Sequence, residues 1–313
     1  MVKCSICGKQ AIYVDKVTGK GFCKNHFISR VEKTVEETLL QALGQSSLEK
    51  STICVAVSGG KDSTSLLYIL KKLSDRYEFK VQALSIDEGI EGYRDLKIPF
   101  IEKVSRKLGV NLHVRSFREE FGLSLDQMFE ILSEKGLEIK PCTVCGVFRR
   151  YLLNRIAYSL GADYLATGHN LDDEAQVLLL NIIRGSIVNI AREGGVSSPR
   201  IHERFIPRIK PLYRLTERET ALYAYLNNLL PPFAECPYVV FASREVVRRW
   251  LNSLEEENPG TKIRLIGVKE TLQKAISRKI GDRALRLKTC KICGEPSAGE
   301  VCKFCQLREY LGI

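Results

Sequence analysis

The feature that most constrains the fold is an apolar hexapeptide, Thr52–Val57, which leads directly into Ser58-Gly-Gly-Lys-Asp-Ser63. A short apolar run of this kind is typical of a strand that a parallel sheet buries on both faces. A helix is predicted immediately afterwards, over residues 65–73. The small residues at 58–60 let backbone N–H groups approach an anion, and the helix N-terminus adds a favourable dipole. The segment therefore predicts an anion-binding strand–loop–helix unit.

Strand-like and helix-like segments alternate from residue 51 to about residue 230. This order predicts an α/β fold with a doubly wound parallel sheet, which binds ligands at the carboxyl ends of its strands. Residues 185–214, rich in Gly, Ser, Pro and Arg, are predicted to form a surface loop, and residues 243–285 to be helical. The predicted strands are 52–57, 80–86, 111–117 and 162–168, and the other predicted helices are 31–50, 99–108, 146–160 and 172–183.

The loop at 58–63 lacks the GxxxxGK[ST] pattern of a Walker A loop. It resembles the SGGxDS pyrophosphate loop of the N-type ATP pyrophosphatases, which bind ATP and release pyrophosphate while they adenylate a substrate. The plain alternative, a glycine-containing turn without a ligand, is disfavoured by a match over the whole motif. Lys61 is expected to contact phosphate, and Asp62 to help hold Mg²⁺ or orient the site. The expected ATP contacts are Ala56, Val57, Ser58, Gly59, Gly60, Lys61, Asp62, Ser63 and, from its position at the end of the second strand, Ile86.

A second segment, Thr167-Gly-His-Asn-Leu-Asp-Asp-Glu174, follows another predicted strand and would face the same crevice. It resembles the GHNxxD segment of the same superfamily. Gly168 would let the nucleotide approach the backbone, and either Asp172 or Asp173 would bind metal or act in acid–base catalysis. For His169 we favour a neutral, hydrogen-bonding side chain over a metal ligand.

Each end of the chain carries four potential metal ligands, arranged as two pairs with two residues between the members of each pair. This is the spacing of closed tetrahedral zinc sites. Because a cytosolic protein does not normally keep structural disulfides, we interpret both sets as zinc modules. A structural clamp is their simplest role, and RNA contact is an added hypothesis. The sets are Cys4, Cys7, Cys23 and His26 near the N-terminus, and Cys290, Cys293, Cys302 and Cys305 near the C-terminus.

Three further cysteines are Cys142 and Cys145, just before a predicted helix, and the distant Cys236. Three thiolates could hold three irons of a [4Fe–4S] cluster and leave the fourth iron open to an exogenous sulfide. A third zinc site competes with this interpretation, although structural zinc generally takes four protein ligands. A redox pair of Cys142 and Cys145 that passes on a persulfide sulfur is another alternative. From spacing alone these alternatives stay open.

Four motifs together resemble the tRNA 2-thiouridine synthetase family. They are Cys142-x-x-Cys145-Gly-x-x-Arg149-Arg, Ser58–Ser63, Gly168–Asp173 and Cys236-Pro. The resemblance extends over nearly the whole chain and is strongest to the tRNA-5-methyluridine 2-sulfurtransferases of archaea and thermophilic bacteria and their wobble-uridine relatives. It implies an oxygen-sensitive [4Fe–4S] cluster on the three cysteines. The family's basic residue after CxxCG falls on Arg149, where some relatives carry Lys, and this change keeps the charge but alters the geometry.

The implied fold class is α/β, a doubly wound parallel-sheet PP-loop ATP pyrophosphatase domain flanked by N- and C-terminal zinc modules. Cys54 lies inside the first predicted strand and is interpreted as a buried, inert thiol. The predicted organisation is an N-terminal zinc finger at 1–30, a PP-loop catalytic domain with a helical linker at 31–230, a helical extension at 231–289 and a C-terminal zinc ribbon at 290–313.

The resemblance implies an ATP-dependent tRNA-uridine 2-sulfurtransferase. The uridine C2 oxygen would be adenylated, with Asp62, Arg149, Asp172 and Asp173 as candidate catalytic residues, and sulfur carried by the cluster would displace AMP. The implied partners are tRNA, a ubiquitin-like sulfur carrier with a thiocarboxylate tail, and a second copy of the chain in a homodimer. The T-loop 5-methyluridine is the preferred target, and the wobble uridine is the alternative. An amide-forming or lysine-adding PP-loop enzyme and a zinc-ribbon RNA-binding scaffold are the other functions considered.

Charge and composition agree with an RNA partner. The net charge of +11 favours an acidic macromolecule, although Lys- and Glu-rich surfaces also occur in heat-adapted proteins. The presence of two Met in 313 residues fits such a thermophile, and hence the T-loop target.

No apolar run is long enough to cross a membrane and no export signal is present, so a cytoplasmic protein is expected. Basic residues expected to follow RNA phosphates are Arg200, Arg204, Arg208, Lys210 and Arg214.

Overall fold

The computed structural model describes residues 2–192, 202–241 and 244–313, with the backbone alone described at 280 and 282–285. In chain order, the strands of this part are β1 (Tyr13–Val14), β2 (Gly21–Phe22), β3 (Thr52–Ala56), β4 (Lys80–Asp87), β5 (Asn111–Ser116), β6 (Tyr164–Thr167), β7 (Arg208–Ile209), β8 (Lys288–Thr289) and β9 (Pro296–Ser297). Two antiparallel hairpins, β1 with β2 and β8 with β9, lie in the two terminal cysteine modules.

The other five strands form one sheet in the order β5–β4–β3–β6–β7, and every neighbouring pair is parallel. The chain winds outward from β3 through β4 and β5 in one direction, and through β6 and β7 in the other. The two halves diverge between β3 and β6, so a crevice opens at the carboxyl ends of these two strands. This order confirms the predicted doubly wound parallel sheet.

The helices pack on both faces of the sheet or extend from it. They are α1 (Lys24–Leu43), α2 (Gln45–Leu48), α3 (Lys61–Tyr77), α4 (Arg94–Leu108), α5 (Phe117–Phe121), α6 (Leu125–Glu134), α7 (Pro141–Ser159), α8 (Leu171–Ile183), α9 (Ile187–Arg192), α10 (Glu217–Leu226), α11 (Glu245–Glu257), α12 (Thr261–Leu285) and α13 (Lys303–Leu311). A 3₁₀ turn spans Pro237–Phe241. Among the described residues, no helix has the length and apolar character that a bilayer-spanning segment needs.

Each face of the sheet carries its own core, because a strand points alternate residues to opposite sides. Ile53 and Val55 pack with α1, α3 and α10 on one face, whereas Cys54 and Leu84 pack with α6 and α7 on the other. Cys54 is fully buried, and burial raises the pKa of its thiol to about 12. The predicted burial of this cysteine is therefore confirmed.

The first face is covered in part by α1, which continues from the N-terminal cysteine module. Its buried residues Val31, Val35 and Leu39 recur at helical spacing and join the core of that face. The helix begins at Lys24, directly after Cys23, and so runs across the boundary predicted at residue 30. The N-terminal module is thus continuous with a core helix.

The C-terminal cysteine module packs against α7 through aromatic rings. Tyr151 on α7 stacks on Phe304 of α13 with ring centroids 3.6 Å apart, and Phe148 lies 4.9 Å from the same ring. Asn154 donates a hydrogen bond to the Glu295 carboxylate at 3.5 Å. The module is therefore fixed to the helix whose first turns carry the Cys-x-x-Cys pair.

Buried ion pairs fasten α12 to α8. Lys262 donates to Asp172, and the fully buried Lys269 donates to Glu174 at 2.5 Å. Lys210 reaches the same Glu174 oxygen at 2.9 Å. Burial raises the pKa of Glu174, but Lys210 and Lys269 outweigh this and hold it below its usual value. If α12 moved away from α8, the buried carboxylates of α8 would lose their lysine partners and remain as uncompensated charges. This cost fixes α12 on α8.

The prediction of a surface loop over 185–214 is wrong in both described parts: Ile187–Arg192 forms helix α9, with Ile190 and Ala191 buried, and the second half contains a strand. Strand β7 joins the sheet beside β6, and Ile206, Ile209 and Tyr213 are buried. A two-residue strand has no periodicity of its own, so only its pairing with β6 reveals it. Arg200, one of the basic residues predicted on this loop, lies outside the described residues.

Candidate active site

The predicted anion loop lies between β3 and α3. Gly59 has φ +78°, and a Cβ there would lie 3.0 Å from Cβ of Lys97, so both conformation and space require glycine. The Ser58 N–H donates to Ser63 Oγ at 3.2 Å, and Ser63 Oγ donates to the Gly60 carbonyl at 3.1 Å. Among the described residues, no side chain caps α3, and its first N–H groups are available to an anion.

The carboxyl end of β6 comes into direct contact with this loop. A Cβ on Gly168 would lie 2.9 Å from the backbone nitrogen of Ser63, so the two segments touch backbone to backbone. His169 Nδ1 lies 2.9 Å from Thr167 Oγ1. Burial and the nearby Lys210 lower the pKa of His169 to about 4. The geometry thus supports the neutral, hydrogen-bonding histidine expected from the sequence.

A cavity of about 270 Å³ opens at this junction, at the divergence of the two sheet halves. We call it the nucleotide cavity. Two predicted contacts, Gly59 and Lys61, are absent from its described lining. Lys61 instead donates to Asp62 and Glu217, each at 2.9 Å, and lines a separate cavity of about 600 Å³. The predicted contacts that do line the nucleotide cavity are Ala56, Val57, Ser58, Gly60, Asp62, Ser63, Ile86 and Gly168.

Four arginines converge on the nucleotide cavity: Arg94, Arg149, Arg150 and Arg208. The sequence placed Arg149 and the adjacent Arg150 of the same motif near this chemistry, whereas Arg94 and Arg208 come from separate parts of the chain. Burial, together with the charges of Arg150 and Arg149, lowers the pKa of Arg208 to about 10. Such crowding of like charges is relieved when an anion enters. The cavity is therefore suited to a polyphosphate.

Asp62 is held at the edge of the cavity from three directions. Thr220 of α10 donates its hydroxyl to Oδ1, Asn170 donates to the same oxygen at 3.4 Å, and Lys61 donates to Oδ2. The carboxylate is thereby oriented by neighbours on two different helices. Thr220 is a supporting residue that the sequence did not indicate, since it lies far along the chain from the loop.

The neighbouring carboxylates Asp172 and Asp173 have different environments. Asp172 accepts from Lys262 and from the Glu217 N–H at 2.8 Å, so it belongs to the α8–α12 contact. Asp173 lies near Asp62, and burial, with the Asp62 charge adding to it, raises its pKa to about 6. A pKa near neutrality suits acid–base catalysis or metal binding. The raised pKa distinguishes Asp173 from Asp172, while its side chain accepts from the Asn170 N–H at 3.2 Å at the start of α8 and is absent from the described lining of the nucleotide cavity.

Glu88, just beyond the end of β4, connects the nucleotide cavity with the Cys-x-x-Cys pair. It is 1% exposed and accepts from Arg94, and from Arg149 at 3.4 Å, while Cys145 Sγ lies 4.0 Å from it. Arg94 in turn donates to the Ser58 carbonyl at 2.9 Å. Burial raises the pKa of Glu88, but Arg94 and Arg149 outweigh it and hold the group ionised. The sequence analysis did not identify Glu88. Its position directly after a predicted strand of the sheet was the signal that could have indicated it.

The three cysteines predicted to act together are brought to one region. Cys142 donates to the Tyr238 carbonyl at 3.3 Å, which places the segment after Cys236 over the first turn of α7. Burial, with a contribution from the charge of Cys236, raises the pKa of Cys145 to about 12. Burial, with a contribution from the charge of Cys142, raises the pKa of Cys236. Within the described residues the three do not form a set with ligand atoms within 4.8 Å of one another, as one zinc ion requires. Thiols that converge without sharing one ion fit a cluster, whose irons are bound separately.

Both terminal modules fit a single tetrahedral ion. The four ligand atoms of each set lie within 4.8 Å of one another. Sulfur–sulfur separations are 3.7 Å between Cys7 and Cys23, and 3.6 Å between Cys293 and Cys302. Tetrahedral Zn–S bonds place two sulfurs about 3.8 Å apart. Burial raises the pKa of the Cys290 thiol, but hydrogen bonds from backbone N–H groups outweigh burial and lower this pKa to about 6. The lowered pKa favours the thiolate form, which is the form that binds zinc.

Comparisons with known proteins agree with this geometry. Residues 31–235 match the family described as a PP-loop domain. The chain is 37% identical to the tRNA 2-thiolation protein NcsA of Haloferax volcanii, covering 99% of both proteins. It is 35% identical to the tRNA-5-methyluridine(54) 2-sulfurtransferase of Pyrococcus horikoshii, over 97% of this chain and 93% of that protein. The structure of the U34-tRNA thiolase NcsA from Methanococcus maripaludis with its [4Fe-4S] cluster matches with a TM-score of 0.84 and 34% identity, over 100% of this chain and 97% of the other. The chain therefore belongs to the PP-loop family of tRNA 2-thiolation proteins.

Proposed function

We propose that this protein is an ATP-dependent tRNA-uridine 2-sulfurtransferase. One observation carries the proposal: Arg149 lines the nucleotide cavity and shares the buried Glu88 carboxylate with Cys145. An adenylation site and a cysteine site for sulfur are thereby contiguous. Two relatives that are 35 and 37% identical to this chain are named for tRNA 2-thiolation, which supports tRNA as the substrate.

The nucleotide half of the reaction uses the loop between Ser58 and Ser63. Its backbone N–H groups and the arginines of the cavity bind the triphosphate of ATP. Asp62 would hold Mg²⁺, with Asp173 as a second carboxylate close by, and the ion would supply positive charge to the triphosphate. The uridine C2 oxygen attacks the α-phosphorus and pyrophosphate leaves, while Arg149 stabilises the negative charge that develops there. The C2 oxygen thereby becomes part of a good leaving group, AMP.

The sulfur half uses Cys142, Cys145 and Cys236. A [4Fe–4S] cluster on these thiolates would supply an iron without a protein ligand, which can carry sulfide. Glu88 and Arg149 hold the first turns of α7 against the nucleotide cavity, so the adenylated base and the cysteine site stay adjacent. Attack of sulfide on C2 forms the carbon–sulfur bond and breaks the carbon–oxygen bond, releasing AMP.

The remaining components are proposed from the ligand chemistry of the terminal modules for zinc, and from the family resemblance for the sulfur carrier and the homodimer. Two Zn²⁺ ions fill the terminal modules, because four soft ligands at tetrahedral spacing select zinc. The sulfur comes from a ubiquitin-like carrier with a thiocarboxylate tail, and the enzyme works as a homodimer in the cytoplasm. The four-part organisation at 1–30, 31–230, 231–289 and 290–313 is retained as a proposal.

The T-loop 5-methyluridine is our first choice of target, supported by the low methionine content, which fits a heat-adapted protein, and by the Pyrococcus horikoshii relative. Wobble-uridine 2-thiolation is the second candidate, because the whole-length structural match is to a U34-tRNA thiolase. The test uses anaerobically purified enzyme, ATP, sulfide and two tRNA transcripts, one with U54 and the other with U34 replaced by cytidine. Loss of thiolation in the first alone supports the T-loop target, and loss in the second alone supports the wobble position.

An RNA-binding scaffold without catalysis is the alternative from another class. The intact nucleotide cavity with four converging arginines argues against it. Measured with tRNA present, ATP consumption coupled to pyrophosphate release separates the two. Binding of tRNA without any ATP turnover would overturn the proposed enzyme. An amide-forming or lysine-adding enzyme would turn over ATP without needing Cys236, so retention of activity in Cys236→Ala would support that reading.

A further inference from the structure

A further cavity, of about 330 Å³, lies between α7 and the C-terminal cysteine module. We call it the C-terminal groove. It shares Arg150 and Arg208 with the nucleotide cavity, so the two spaces meet at these guanidinium groups. The groove is therefore a path along which an extended ligand could reach the nucleotide cavity from the surface.

The groove is lined by aromatic rings and basic side chains. Phe205 forms one wall, with the Arg208 guanidinium 5.9 Å from its ring centroid. The stacked pair of Tyr151 and Phe304 lines the groove as well, and Lys303 is exposed beside it. Cationic grooves with aromatic platforms are the common solution for single-stranded nucleic acid, because bases stack on the rings and phosphates meet the cations.

The charge in the groove favours a polyanion. Arg150 is exposed and forms no ion pair with any described residue. Glu295, the carboxylate in the lining, lies 3.9 Å from Arg204 and accepts from Asn154, so it is already engaged. An entering phosphate would supply the missing counter-charge.

We propose that the C-terminal groove binds the single-stranded tRNA segment adjoining the target uridine, and that the C-terminal module is one wall of this RNA site. This inference rests on the proposed function. The target base must leave its stack to reach the nucleotide cavity, which requires that the flanking nucleotides be held in an unpaired form. The groove lies at the mouth of that cavity and offers the chemistry to hold them.

The first test neutralises one groove lysine. Lys303→Ala is compared with Lys291→Ala, which removes an exposed lysine of the same module that does not line the groove. In Lys303→Ala we expect tRNA binding to weaken about fivefold, and the slope of log affinity against log salt to fall by about one. ATP affinity and zinc content should match the wild type in both variants. Equal tRNA affinity and salt slope in the two variants would overturn the proposal.

The second test removes an aromatic platform. Phe205→Ala should weaken tRNA binding about tenfold with little salt dependence, because stacking carries no net charge. Tyr158→Ala, on the outer face of α7, is the matched control. If both groove variants bind tRNA normally and instead lose sulfur transfer from a thiocarboxylated carrier, the groove takes the carrier protein and the RNA assignment is wrong. If the wild type itself neither binds nor thiolates tRNA, the proposed function fails rather than the groove.

Discussion

The two terminal cysteine modules have the same ligand spacing and different neighbours. Each gathers four ligand atoms within 4.8 Å. The N-terminal module packs against the sheet face that carries α1, α3 and α10, and the C-terminal module packs against α7 on the opposite face. Two similar ligand sets, one of three cysteines and a histidine and the other of four cysteines, therefore support two separate parts of the molecule.

The N-terminal module leads to the nucleotide side. Tyr13 of its hairpin donates to Glu219 at 3.1 Å, and Arg30 pairs with the same carboxylate. Glu219 caps the first turn of α10, and the next residue, Thr220, donates to Asp62. Two hydrogen-bonding steps thus join this module to the Mg²⁺-binding candidate.

The C-terminal module leads to the sulfur side. Phe304 lies between Tyr151 and Phe148 of α7, and Cys142 and Cys145 lie in the first turns of the same helix. The N-terminal module therefore supports the nucleotide side of the site, and the C-terminal module supports the cysteine side. Glu88, in contact with both the arginines of the cavity and Cys145, is where the two halves meet.

The largest expected effects come from removing the centre of each half. Cys145→Ala should reduce thiolation to background while ATP affinity stays within about twofold, because the thiol is outside the nucleotide cavity. Asp62→Asn should lower ATP-dependent activity about 10²- to 10⁴-fold while iron content stays unchanged. Iron quantification, ATP binding and thiolation on the same anaerobic samples check both. If either Cys145→Ala or Asp62→Asn removed both iron and ATP binding, the division into two halves would be wrong.

The next effect comes from loosening each module. Phe304→Ala deletes a nearly buried ring and should cost about 3 to 5 kcal/mol of local stability, with loss of iron occupancy exceeding loss of ATP affinity. Tyr13→Ala removes the corresponding ring of the N-terminal module and should weaken ATP binding more than iron retention. Zinc content, iron content and ATP titration measure the two outcomes. Identical losses in the two variants would contradict the separate roles.

A smaller effect is expected where the halves meet. Glu88→Gln leaves Arg94 and Arg149 without their buried counter-charge and should lower the free energy of unfolding by about 3 kcal/mol. Both ATP affinity and iron occupancy should fall, unlike in the module variants. Glu91→Gln, at an exposed neighbouring position, serves as the control and should change neither.

The smallest effect concerns Asp173. Its pKa is raised by burial to about 6, above the ordinary value of 3.8, so the folded state holds this proton more tightly than the unfolded state. The ionised carboxylate therefore destabilises the fold progressively as pH rises from about 4 to 6, and fully above that. The melting temperature of Asp173→Asn relative to wild type should increase between pH 4.5 and 7.5. A pH-independent difference would show that Asp173 titrates normally.

Much of the fold was predictable from local pattern. The apolar run at β3, the strand at β4 and the helix ending at Ile183 were predicted within about two residues. Start points of α1, α3 and α4 were missed by four to seven residues, since polar first turns carry no apolar periodicity. Strand β7 was missed altogether because its two residues are specified by pairing with β6.

The sequence by itself determined the elements whose chemistry lies within a few residues of chain. These are the two four-ligand sets, the glycine loop at Ser58–Ser63 and the Cys-x-x-Cys pair, because local spacing fixes both ligand type and geometry. Only the tertiary structure decided the rest. It brings the segment after Cys236 onto α7 and assigns Asp172 to a structural ion pair. It also turns Arg208 inward and places Glu88 between two arginines. Each of these depends on long-range packing, in which burial forces charges to find partners that are distant in the sequence.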